Sequence, residues 1–237
     1  MSECISMPSI DRSSAQWFTA AAAIFRKDWQ SELRTRYAIS ALIMFVVSTI
    51  AIVIFAIGSE SIPSDVLTGM LWVIIFFSSM SGLSRTFVAE EERGTVLTLQ
   101  LLASPSVVLG GKLAFNFVLV LSLNIFAVAL YSLLVSEFLI VTLSIFWITI
   151  LLGSMGLAAA ATIIAAIIAK ANTKGTLFPV LSLPILLPLL VVVINATRLA
   201  GEGAPFEDAV REFQFLIAYI VVVVTVSQLL FDYIWTD

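Results

Sequence analysis

Leu113–Ser136 reads LAFNFVLVLSLNIFAVALYSLLVS, without a charged residue. At 1.5 Å of rise per residue it makes a helix about 36 Å long, enough to cross a hydrocarbon core of roughly 30 Å. So long an apolar run reads as a transmembrane helix. The pattern repeats on both sides. Ala38–Gly58 and Val66–Ser84 precede it, while Phe138–Ala169, Gly175–Thr197 and Phe213–Phe231 follow, all free of Asp, Glu, Lys and Arg. Phe138–Ala169 is longer than one span requires. Either its first residues lie at the interface, leaving a span over 144–169, or the helix is tilted. The chain is thus all-α and polytopic, with spans at about 38–58, 66–84, 113–136, 144–169, 175–197 and 213–231.

Composition agrees. Of 237 residues, 60% are hydrophobic and 12% charged, with a mean hydropathy of +1.09. A soluble domain carries roughly 25% charged residues. A water-soluble globule, a disordered tail and a secreted disulfide scaffold are excluded. A net charge of −4 offers no basic face to nucleic acid. The single cysteine, Cys4, cannot form an intrachain disulfide. Histidine is absent, which removes the commonest haem and zinc ligand and the usual general base near neutral pH. No catalytic, cofactor-binding or metal-ligating set stands out.

Orientation follows from Lys and Arg, which accumulate in cytoplasmic loops. With the N-terminus inside, Arg12, Arg26, Lys27, Arg34, Arg36, Arg85, Arg93, Lys112, Lys170 and Lys174 are cytoplasmic, and only Arg198 and Arg211 lie outside. Both termini then face the cytoplasm. Residues 1–14 form a polar tail without a cleavable signal, and residues 15–237 a single membrane domain. Within 15–36, Trp17, Phe18, Ile24, Phe25 and Trp29 oppose Arg26, Lys27, Asp28, Glu32, Arg34 and Arg36. That pattern suits an amphipathic helix lying at the headgroups. A frayed leader bearing the positive-inside signal is the alternative.

Arg85–Lys112 reads RTFVAEEERGTVLTLQLLASPSVVLGGK. Glu90, Glu91 and Glu92 suit the first turn of a helix, and Pro105 disfavours helix in the residue before it. A short cytoplasmic helix is expected within 90–103, with Gly94 breaking it or permitting close approach. Its leucines are too apolar to face the cytosol and pack on the spans, on a partner, or on both. Gly110-Gly111-Lys112 is not a phosphate loop, because Ser106 and Leu113 stand where that motif needs glycine and a hydroxyl. Lys112 reads as an interface anchor.

Pro179, Pro184 and Pro188 interrupt span five, each removing a backbone donor. The freed carbonyls need partners, so a bent helix lining a cavity or moving during a cycle stands beside a static, well-packed kink. Span four carries small residues from Gly153 to Thr162, suited to close helix contacts within the chain. Asn116, Asn124 and Asn195 are expected to face protein or a cavity. Pro205 is placed to start a short helix running to Phe213.

E-E-R-G-T (91–95), L-L-A-S-P (101–105) and G-G-K (110–112) resemble the loop signature of type-2 ABC exporter permeases. Within that class, F-S-S-M-S-G-L-S-R-T-F (77–87) and F-P-V-L-S-L-P-I-L-L-P-L-L (178–190) resemble the haem exporter protein B (CcmB) family of bacterial cytochrome c maturation. The resemblance implies a non-catalytic inner-membrane subunit in which Glu90, Glu91, Glu92, Arg93, Gly94 and Thr95 couple to an ATPase. It implies as partners a CcmA-like ATPase that holds ATP, CcmC-like and CcmD-like membrane subunits and a CcmE-like periplasmic haem chaperone. Two copies per complex are expected, and haem is cargo rather than a resident cofactor. A type-2 permease for a lipid, drug or polysaccharide precursor, and an ATP-independent scaffold or pore, stand as alternatives.

Overall fold

A computed structural model describes residues 10–34, 36–58, 62–87, 90, 94–170 and 178–236. They form α1 (Ile10–Arg34), α2 (Arg36–Ile57), α3 (Ser64–Leu83), α4 (Val96–Leu102), α5 (Pro105–Leu134), α6 (Leu143–Lys170), α7 (Phe178–Glu202), a 3-10 turn (Phe206–Ala209) and α8 (Val210–Thr236). No strand occurs among them. Six helices, α2, α3 and α5–α8, are long and apolar enough to cross a membrane. Helices suit that solvent because every interior N–H and C=O bonds within its own segment.

α6 is the centre of the bundle. Of its most apolar window 78% is buried, against 17% for α2 and α8. Its small residues explain why. A Cβ on Gly153 would stand 2.5 Å from the Trp72 ring of α3, and one on Gly156 would stand 2.6 Å from Leu189 of α7. The small-residue stripe therefore serves contacts within the chain, as expected. Trp72 Nε1 also donates to Thr197 Oγ1 at 2.9 Å, joining α3 to α7.

Residues 138–142 precede α6 as an irregular segment, so the long charge-free stretch is loop followed by span. Val141 N and Thr142 N both donate to Ala200 O, at 3.1 and 2.9 Å, tying that loop to the end of α7. Pro205 starts the 3-10 turn that leads into α8.

One expectation needs correction. α5 starts at Pro105 rather than at 113, so Gly110-Gly111-Lys112 lies inside the helix. Proline suits a first helical position, because its missing N–H would have had no partner there. Pro184 and Pro188 lie within a continuous α7 with their side chains exposed on this protomer. The buried stripe of α7 runs through Ser182, Leu186, Leu189, Val193, Ala196 and Ala200 at helical spacing, and both prolines fall outside it. Tyr219 Oη of α8 donates to Ile185 O at 3.0 Å, beside the carbonyls the prolines release. Only the helical backbone of Pro179 is described.

Candidate functional site

The turn after α3 leads into α4 through a left-handed glycine. Gly94 has φ +65°, a conformation glycine adopts at little cost. Thr95 N then donates to Glu90 O at 3.0 Å, and the helix restarts at Val96 with Thr95 as its N-cap residue. Gly94 thus breaks the segment, one of its two anticipated roles. No acid occupies the first turn of α4, and Glu90 lies upstream of Gly94; the acidic turn expected over Glu90, Glu91 and Glu92 falls largely outside the described residues. α4 ends at Ala103, whose extended backbone (φ −140°, ψ 141°) leads into Ser104-Pro105.

α4 is pinned at its base and bare on its outer face. Val96 and Leu99 pack on the bundle, and Gln100 Nε2 donates to Trp235 O of α8 at 2.6 Å. Leu97, Leu101 and Leu102 are 72%, 88% and 81% exposed. A cavity of about 90 Å³ bordered by Phe87, Val96, Gln100 and Trp235 lies against α4, so the helix is not packed solidly on the bundle. The three leucines give the outer face of α4 an exposed apolar ridge.

Glu90 turns inward. It is 5% exposed, and Lys112 of α5, at 1%, places Nζ 3.3 Å from its Oε1 and 3.2 Å from Asp28 Oδ2 of α1. Lys27 Nζ donates to Glu90 Oε1 at 2.5 Å, and the Thr95 hydroxyl donates to Oε2 at 2.5 Å. Lys112 Nζ also donates to Thr86 O at 2.9 Å and sits 5.0 Å from the centre of the Phe87 ring. Two ammonium groups balance two carboxylates, Lys112 from within and Lys27 from the exposed side, which makes burial of the two acids tolerable. Burial pushes the Glu90 carboxyl up, but Lys112, followed by Lys27 and Thr95, outweighs it and brings the pKa down to about 2. Glu90 is therefore ionised at neutral pH.

The glycine pair supplies the geometry. A Cβ on Gly110 would lie 2.7 Å from the Trp17 ring, and one on Gly111 2.8 Å from both Ala21 O and Ile24 Cβ. α1 crosses α5 where α5 has no side chains, which brings Asp28 onto Lys112.

From this cluster a polar seam continues along the helices. The Thr86 hydroxyl donates to Asn116 Oδ1 at 3.1 Å, and Asn116 Nδ2 donates to Thr162 Oγ1 at 2.8 Å. Two turns on, Asn124 Nδ2 donates to Ser154 Oγ at 2.8 Å. Both bridges join α5 to α6, and their equal spacing on each helix sets one antiparallel register. At the far end, Asn195 bonds Glu212 and Arg198.

Of the residues singled out in the sequence, Glu90, Gly94 and Thr95 come together here. Glu91, Glu92 and Arg93 lie outside the described residues. Lys27, Asp28, Thr86 and Lys112 were not singled out as site residues. Their signal was a lysine one helical turn before Asn116 and directly after two glycines, facing a helix with an acid among its bases. Among the described residues no group of His, Cys, Asp and Glu is arranged to hold a metal.

The family model described as CcmB protein matches residues 19–232. The chain is also similar to a protein of Bradyrhizobium diazoefficiens named Heme exporter protein B. The two are 26% identical over 195 residues, covering 79% of this chain and 87% of the relative.

Proposed function

Because the chain belongs to the CcmB protein family, we propose that it is the membrane-spanning subunit of a haem-export complex serving cytochrome c biogenesis, driven by an ATPase carried on another chain. The observation that carries this reading is the leucine ridge of α4. A short apolar helix held outside the bundle by a buried ionic cluster is suited to insertion into a groove of a soluble partner. We assign that partner as the nucleotide-hydrolysing subunit, so that α4 lies on the cytoplasmic side with both termini, in the bacterial inner membrane.

In this mechanism closure of the ATPase displaces α4. Glu90 and Thr95 tie the base of α4 to Lys112, and Lys112 belongs to α5, so the displacement passes to a spanning helix. Asn116–Thr162 and Asn124–Ser154 make α6 follow α5. Glu90 serves as an internal joint, while Glu91, Glu92 and Arg93 supply the charged contacts to the ATPase. Hydrolysis belongs to the partner, and haem is cargo of the assembly, which holds two copies of this chain with CcmC-like and CcmD-like subunits and serves a periplasmic haem chaperone.

The test is mild-detergent purification of the assembled complex carrying Leu97→Ser and Leu101→Ser. The expected result is loss of the co-purifying ATPase and of its coupled hydrolysis, with membrane insertion and melting temperature retained. Full association and hydrolysis would refute the assignment. Haem absorbance in the wild-type complex, with export assayed in parallel, tests the cargo.

A further inference from the structure

Between α1, α2 and α5 lies a cavity of about 220 Å³, apart from the ionic cluster. Trp29, Glu32 and Leu33 of α1 border it at one end, Ile39, Leu42 and Ile43 of α2 form one wall, and α5 forms the other from Phe115 to Phe126. Two lining residues are polar, and Ser122 spends its hydroxyl on Leu119 O at 2.8 Å. The other, Glu32, stands at the α1 end.

We propose that this slot holds one acyl chain of a phospholipid from the leaflet on the α1 side, as a retained lipid rather than a passing neighbour. The inference rests on α1 lying at the membrane surface, not on the cargo or the ATPase. Phe115 to Phe126 span about 16 Å of helix, half of a hydrocarbon core of roughly 30 Å, so the slot runs to the depth of one leaflet. Its volume is about 220 Å³. A helix with its side chains measures about 10–12 Å, so a partner helix does not fit where an extended chain does. Empty apolar space leaves its lining without contacts, and methylenes restore them. The headgroup end is provided for as well. Arg34 is exposed in the last turn of α1, beside Leu33 of the slot, where a lipid phosphate would stand.

The experiment places photoreactive benzoyl-phenylalanine at Ile43, in the slot, or at Phe55, which is 87% exposed near the far end of α2. The full chain, in its complex, is reconstituted into vesicles of phosphatidylethanolamine and phosphatidylglycerol, re-extracted, washed in lipid-free detergent, and only then irradiated. Mass analysis should find a phospholipid adduct at Ile43 about tenfold above that at Phe55, which corresponds to a retention difference of about 1.4 kcal/mol. Leu119→Trp, which fills the slot, should remove the adduct while the melting temperature in detergent holds. The milder Leu119→Phe should reduce it. Equal adducts at the two positions, persistence in the filled variants, a cross-link to a protein, or a haem adduct would each overturn the proposal.

Discussion

Replacing Lys112 by methionine keeps the length of the side chain and removes its charge. The ammonium it deletes lies 3.2 Å from Asp28, 3.3 Å from Glu90 and 2.9 Å from Thr86 O, at 1% exposure. Two buried carboxylates would remain, with Lys27, whose side chain is 41% exposed, as their counter-ion. Breaking a buried pair from one side costs about 3–5 kcal/mol. The Glu90 pKa leads to a similar figure, since a fall from 4.5 to about 2 is worth about 3 kcal/mol at 1.36 kcal/mol per unit. For a chain of this length, about 3–5 kcal/mol lowers the melting temperature by roughly 6–20 °C. The pH dependence gives a sharper test. In the wild type the folded pKa is depressed, so the contribution of Glu90 is complete above about 4.5 and is lost as pH falls towards 2. Melting should therefore be insensitive to this group between pH 8 and 5. In Lys112→Met the largest lowering influence is gone while burial, the largest influence of all, remains, so the carboxyl is expected to titrate above its ordinary value. The variant should regain stability as pH falls from 8 towards 5, and Glu90→Gln added to it should restore much of the loss at pH 8. Thermal unfolding of the detergent-solubilised protein, followed by tryptophan fluorescence, measures the wild type, Lys112→Met, Glu90→Gln and the double variant. Additive losses in the double variant, or a variant that melts independently of pH, would refute the ionic joint.

Gly111→Val should dislodge α1, because its Cβ meets backbone and a Cβ rather than a pliant chain end. Overpacking of about 1–3 kcal/mol is expected, with hydrogen exchange rising in α1 and unchanged in α6. Asn116→Leu should cost more than Asn124→Leu, since Asn116 bonds both Thr86 and Thr162 whereas Asn124 Oδ1 is buried without a partner. Single interhelical hydrogen bonds contribute about 0.6 kcal/mol and at most about 1.7 in membranes, and the same melting assay ranks the two variants.

The spans were legible in sequence because a bilayer imposes one length and one polarity on anything that crosses it. That Asn116 and Asn124 face protein was legible for a related reason, since an amide in lipid must find a partner. The start of α5 was misread because Lys112 looked like a boundary. A charge marks the end of a span only when nothing inside the protein neutralises it, and the neutralising groups stand 22 and 84 positions away in the chain. Glu90 was read with its two acidic neighbours as one outward turn. Periodicity could not show that a left-handed glycine separates it from α4 and lets Thr95 draw it inward. The prolines left two readings open, because freed carbonyls demand partners but do not say on which side of a helix.

Thirty residues make α5 about 45 Å long, more than a hydrocarbon core is thick. α1 grips this rod near the α4 end, at Gly110 and Gly111. Were α1 to lie at the headgroups, as its amphipathic pattern predicts, the altitude of α4 would be referenced to the lipid surface rather than to the middle of the bundle. A thinner bilayer would make an over-long rod lean, swinging α4 sideways while its height stays fixed. Under the proposed function, membrane thickness would then tune how squarely the leucine ridge meets its partner.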